Sequence, residues 1–206
     1  MKRITMALGV GLVAMTALVA PSLASATGTA LCSKAEEHCA AGNRYPVGTS
    51  VTATPVSQMT FTTPIASSSC TSSNLGGQVE RNSGGSEYVR FLFSSLSFSS
   101  CTNSTTVEVK NLPWIADVLP GKFAGEGSLW TPAFVPRLRI VRFGISCVYS
   151  TEIGAAISGT QLTLNAAKLV VASGSSGLCG EEGATTGSWS GAYSFTSPSP
   201  FFISFG

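Results

Sequence analysis

The chain has 206 residues, 44% hydrophobic and only 11% charged, with a formal net charge of +2. Lys2 and Arg3 account for that excess, and from Thr27 onward ten basic residues face ten acidic ones, which excludes nucleic acid as a main partner because phosphate binding needs a basic surplus. Eleven Phe, three Trp and four Tyr in a background rich in Ser and Thr exclude a disordered chain.

Residues 1–26 read as an export signal. Lys2 and Arg3 precede an uncharged apolar stretch over residues 4–20, Pro21 ends any helix, and Ala24-Ser25-Ala26 supplies a small-x-small cleavage site. An uncleaved anchor is the weaker reading, because the stretch is at the short limit for crossing a bilayer. Lipoprotein processing does not fit Cys32, which follows Thr29-Ala30-Leu31 well beyond the apolar stretch. No integral membrane span is expected after cleavage. The expected mature product is a single all-β domain over 27–206, secreted, extracellular or at the cell surface.

The first strand signal is Met59-Thr-Phe61-Thr-Thr-Pro-Ile65, with Met59, Phe61 and Ile65 on one side and Pro64 confining it to an edge or ending it. Residues 87–93 are apolar on both sides, and Leu96-Ser-Phe98 resumes alternation after Ser94 and Ser95. Residues 105–110 place Val107 and Val109 inward. Residues 136–149 form the longest strand-like run, with a bulge or break expected at Gly144. Strands follow over 160–164 and 168–172. Trp189, Gly191, Tyr193 and Phe195 then share one face of 188–195, where the glycine leaves room for a neighbouring side chain. Residues 201–205 supply a terminal strand. Turns are expected at 74–77, 82–86 and 173–177, and short helical turns only at 34–38 and 113–119. Eight to eleven short strands at this spacing predict an antiparallel β-sandwich or small barrel.

Cys32, Cys39, Cys70, Cys101, Cys147 and Cys179 all follow the signal, and an even count in an exported chain predicts disulfides. Six cysteines allow 15 pairings. Their order suggests sequential bridging, Cys32 to Cys39, Cys70 to Cys101 and Cys147 to Cys179. The twin phrases Ser-Ser-Cys-Thr at 68–71 and 99–102 fit two strand ends stapled together. No C-x-x-C pair exists and His38 is the only histidine, so neither a metal site nor a thioredoxin-like motif is expected, and no cofactor motif occurs.

Catalytic machinery is sparse. His38 sits between Glu37 and Cys39 in a loop, unsuited to a Ser-His-Asp or Cys-His site, and Asp117 is the sole aspartate. A glycan-active enzyme with two carboxylates would draw on Glu87, Glu108, Asp117, Glu126 and Glu152, if two of them met in space. For a binding surface, Arg137 and Arg139 share a strand face that could hold an anionic glycan. Trp114 and Trp130, each beside a proline, could stack on sugar. Buried packing is the competing reading for both tryptophans, and a solvated sheet face for both arginines.

The succession of Leu96-Ser-Phe98 and Cys101, Leu112-Pro113-Trp114, Cys147-Val-Tyr149, Cys179 and Trp189-Ser-Gly191-Ala-Tyr193 resembles small secreted bacterial proteins with disulfides, numerous in actinobacteria and largely uncharacterised. It is distantly similar to the secreted activators of alkane oxidation. The likeness covers roughly residues 60–200, and the segment holding Cys32 and Cys39 departs from the distant group. The resemblance implies a cell-surface or matrix-associated β-protein that contacts hydrophobic material, with no catalytic residues to carry over; with the arginine and tryptophan candidates, the expected partner is a cell-surface glycan or a hydrophobic surface. The expectation is therefore a non-catalytic binding or structural protein, with the two-carboxylate enzyme as the alternative.

Overall fold

A computed structural model describes residues 28–131 and 136–206. The expected export signal lies outside the described residues. The chain runs through β1 (Thr29–Cys32), β2 (Ser50–Pro55), β3 (Met59–Thr63), β4 (Ala66–Arg81), β5 (Val89–Cys101), β6 (Thr106–Lys110) and β7 (Trp114–Pro120). It continues through β8 (Glu126–Trp130), β9 (Arg137–Arg142), β10 (Ile145–Thr151), β11 (Gly154–Ser158), β12 (Gln161–Val171), β13 (Thr185–Ser197) and β14 (Phe202–Phe205). The protein is all-β, and its strand pairs are antiparallel.

Hydrogen-bonded neighbours run β13-β3-β4-β5-β7-β8-β11-β12 and return to β13, closing an eight-strand ring. Closure removes the exposed edges that an open sheet would present. The long strands β4, β5, β12 and β13 carry two tiers of shorter ones. Between β4 and β13, β3 fills one tier and β2 the other. Between β5 and β12, one tier is β7, β8 and β11. In the other tier, β10, β9 and β6 extend from residues 169–171 of β12. The sheet therefore forks along β12, at a register shift that leaves Asn165 and Ala166 unpaired.

Strict alternation fills the interior. Met59, Phe61, Val89, Phe91, Phe93, Trp189 and Tyr193 point inward while most Ser, Thr and charged residues coat the outside, Ser68, Ser73 and Thr151 being buried exceptions. Phe61 stacks on Trp189 with ring centres 5.9 Å apart, and Phe98 meets Phe61 edge-on at 5.1 Å. The Tyr193 hydroxyl is held 2.6 Å from Ser73 Oγ, which also lies 2.8 Å from the Ser97 carbonyl. Burial pushes the Tyr193 hydroxyl well above its ordinary pKa. The Met59 thioether occupies the space over Gly191, where a Cβ would lie 2.3 Å from its sulfur.

The two-stranded sheet of β1 and β14 packs Leu31 and Ile203 into the core, joined by Phe201 just before β14. The buried Asn82 side chain serves as a strand partner for β1. Its Oδ1 accepts from Leu31 N at 2.8 Å, and its Nδ2 donates to the carbonyls of Leu31 and Tyr45. The three disulfides join Cys32 to Cys39, Cys70 to Cys101 and Cys147 to Cys179, as the sequential order suggested. Cys70 and Cys101 stand directly opposite in the register of β4 and β5.

Several local expectations change. Residues 74–77 are not a turn but the middle of β4, where Gly77 lets β5 approach so closely that a Cβ would lie 2.2 Å from the Leu92 carbonyl oxygen. Residues 113–119 fall mainly in β7 rather than a helical turn, because Trp114, Ala116 and Val118 alternate into the core. Residues 34–38 are not helical; the short 3-10 turn near them spans Ala41–Asn43. The strands expected at 160–164 and 168–172 are one bulged strand, β12. Fourteen strands are present among the described residues, more than the eight to eleven expected.

Candidate functional site

The fork creates a concavity on the outer face. Where β10 and β11 part along β12, a cleft of about 740 Å³ opens, lined by Trp130, Thr131, Ser150, Glu152, Gly154, Asn165 and Lys168 among others. The volume suits a small ligand. A shallower depression of about 300 Å³ adjoins it, lined by Ser57, Gln58, Thr60, Thr163, Ser190 and again Asn165. Asn165 is therefore a shared wall. Sharing Asn165, the two hollows flank the β12 bulge as a two-part groove, and among the described residues charged side chains line only the part at Trp130.

Each wall follows from strand geometry. On β8, Leu129 enters the core, so Trp130 faces outward and stays 44% exposed. Its partner on β11 is Gly154, which has open space around its missing Cβ and leaves that flank of the indole uncovered. On the other side Trp130 pairs with Asp117 of β7, itself opposite Arg90 of β5. Arg90 donates to both Asp117 oxygens, Nε to Oδ1 at 2.6 Å and Nη2 to Oδ2 at 2.8 Å. The Tyr88 ring lies 4.9 Å from the Arg90 guanidinium. At the bulge, Ala166 adopts a φ of 52° and its N–H donates to Ser190 Oγ, which fixes Asn165 at the crest. Glu152 and Lys168 line the cleft, and neither takes part in a salt bridge among the described residues.

The sequence-derived candidates divide. Trp130 lies in the cleft. Trp114 does not reach the surface: it is 2% exposed, packed at 4.7 Å against Phe93 in the core. Arg139 and Arg137 share the outer face of β9, but Arg139 donates to Glu108, which also binds Lys110. Those two cations hold the Glu108 carboxyl below its ordinary value. Arg137 stands opposite Ser150, a lining residue of the cleft, and so borders it. Of the five carboxylates weighed for an enzyme, Glu152 alone lines the groove. Asp117 is committed to Arg90, and Glu87, Glu108 and Glu126 lie elsewhere on the surface. Asn165, Lys168, Ser150 and Gly154 escaped sequence reasoning because only the fork of the sheet assembles them.

At the N-terminal loop, Cys32, Glu36 and Cys39 bring ligand-type atoms within 4.8 Å of one another, but both sulfurs are committed to the disulfide. His38 is exposed, its ring 5.9 Å from that of Phe205.

The fold and groove define an all-β, disulfide-stapled protein with an open cleft of mixed polar and apolar lining beside an exposed tryptophan. No family model, curated protein or solved structure matches the chain. No helix among the described residues is long and apolar enough to cross a membrane.

Proposed function

We propose that this is a secreted, non-catalytic β-protein of the cell surface or extracellular matrix that binds a glycan along the groove across β12. Three disulfides suit an oxidising, extracellular setting. The observation that carries the ligand class is the exposed Trp130 indole at one end of a groove whose walls mix hydroxyl and amide side chains, among them Ser150, Asn165, Gln58 and Thr60, with apolar ones such as Ile153 and Val170. An aromatic face stacks on the C–H face of a sugar ring, while Ser, Thr, Asn and Gln exchange hydrogen bonds with its hydroxyls. Glu152 and Lys168 add one acceptor and one donor of full charge. The two-carboxylate enzyme is the weaker reading, since its acid and its base or nucleophile must flank one bond and the groove offers Glu152 alone.

A glycan array followed by product analysis tests this proposal. Binding without release of product, reduced at least tenfold by Trp130→Ala, is expected. Time-dependent cleavage would favour the enzyme, and undiminished binding by the variant would move the site elsewhere.

A further inference from the structure

The hairpin joining β9 to β10 carries an unusual residue at its tip. Arg142 pairs with Ile145, so Phe143 and Gly144 form a two-residue loop, with φ of 48° and 78°. Such a turn wants Asn or Gly at its first central position, because a positive φ presses Cβ against the backbone. This chain places a phenylalanine there and leaves it 77% exposed. Neither the turn nor the core gains from that choice. Local strain held at an exposed position points to a function for the side chain.

The surroundings narrow that function. The Arg142 guanidinium lies 4.6 Å from the Phe143 ring centre and is drawn back by an Nη1 bond to the Ile65 carbonyl at 3.0 Å. A second apolar tip stands at the same end. Leu178 is 64% exposed on a loop fixed to β10 by the Cys147 to Cys179 bridge and by Ser176 N donating to the Ser146 carbonyl. Two isolated tips offer far less area than the roughly 800 Å² per partner that a stable protein interface buries. A fluid lipid interface needs only that the tips enter it. A ring with a cation directly behind it also matches the layering of acyl chain and phosphate.

We propose that Phe143, assisted by Leu178, inserts into a lipid surface and docks this end of the barrel on membranes. The proposal is independent of the glycan groove. Glu181 and Glu182 are exposed three and four residues beyond Leu178 and offset the charge of Arg142, so the contact is with zwitterionic headgroups and depends weakly on salt.

The test is co-flotation with phosphatidylcholine vesicles. Wild type is expected to float, in low salt and at about 0.5 M alike. Phe143→Asn gives the turn the residue it prefers, so its melting temperature should match or exceed wild type, while vesicle association falls about tenfold. Leu178→Ser should lower association less, and Val47→Ser, an exposed apolar residue near the β1 and β14 end, should not change it. Failure of wild type to float overturns the proposal, as does equal flotation of Phe143→Asn. So does association that requires anionic lipid and vanishes in salt. A Phe143-dependent dimer without vesicle association would assign the tip to a second copy instead and overturn it equally.

Discussion

Asp117 and Trp130 stand opposite each other on the outer faces of β7 and β8, yet Asp117 is 1% exposed and Trp130 44%. An outward carboxylate reaches that burial only when its neighbours cover it. Here the flanking residues are Trp130 on one side and Arg90 on the other. The arrangement takes up the charge beside the cleft, so the flank of Trp130 toward β7 is structural and the flank toward Gly154 is open. One cross-strand row, from Arg90 through Asp117 and Trp130 to Gly154, thus passes from a covered ion pair to an accessible site.

The ion pair should respond unequally to loss of either partner. Arg90→Met leaves a buried carboxylate without its counter-charge, an error that costs about 3–5 kcal/mol. Asp117→Asn leaves Arg90, whose side chain is 26% exposed and still stacked near Tyr88, with access to water. That change should cost about 1–2 kcal/mol. Urea denaturation of both variants checks the order, and equal losses would show that Asp117 is better solvated than its position implies.

The disulfides should rank by the length of chain they close. Cys70 to Cys101 spans 31 residues and Cys32 to Cys39 spans 7. Restriction of the unfolded chain gives about 3.7 kcal/mol for the first and about 2.5 kcal/mol for the second. Paired Cys→Ser replacements, compared by denaturant midpoint, should show the larger loss for Cys70 and Cys101. A reversed order would mean that native packing around the N-terminal bridge outweighs chain entropy.

Acid should loosen the N-terminal loop through Glu36. Asn43 Nδ2 and the Ala40 N–H donate to its carboxylate and, with Lys34 nearby, hold its pKa below the ordinary 4.5. A carboxyl with a lowered folded pKa stabilises fully above the unfolded value, and that contribution disappears as pH falls through the folded one. The difference in loop protection between wild type and Glu36→Gln should therefore be constant above about pH 5 and shrink below 4.5. Hydrogen exchange of residues 33–43 across that range reads it directly. A difference unchanged down to pH 3 would place the stabilisation in packing rather than in the charge.

Sequence and structure agree where a single strand carries its own signal. Trp189, Gly191, Tyr193 and Phe195 share an inward face as their period of two demands, and the space over Gly191 is filled as its place between aromatics suggested. The break at Gly144 is the hairpin tip. What was illegible depends on partners distant in sequence. Asn74, Gly76 and Gly77 have turn composition, but β5 lies against them and converts the segment into strand. Trp114 follows a proline as a loop residue would, and the alternation with Ala116 and Val118 decides its burial. The groove needs β10 and β11 to diverge from β12, a consequence of topology that no local pattern encodes.

Gly154 provides the sharpest test of the groove, because it separates ligand access from stability. Its backbone lies outside the left-handed region, and a Cβ there meets nothing within 4 Å. Valine suits a strand better than glycine does, since it restricts the unfolded chain and packs on a pleated surface. Gly154→Val should therefore keep or raise the melting temperature, by an amount equivalent to about 0.5–1 kcal/mol. The same isopropyl group would stand against Trp130, its direct partner across β8 and β11, and close the flank on which a sugar ring would stack. Glycan binding should fall nearly as far as in Trp130→Ala, while the melting temperature is no lower than wild type and vesicle association is unchanged. If binding instead survives in a fully folded Gly154→Val protein, the ligand does not use the open face of Trp130, and the depression around Gln58, Thr60 and Ser190 becomes the part of the groove to mutate next.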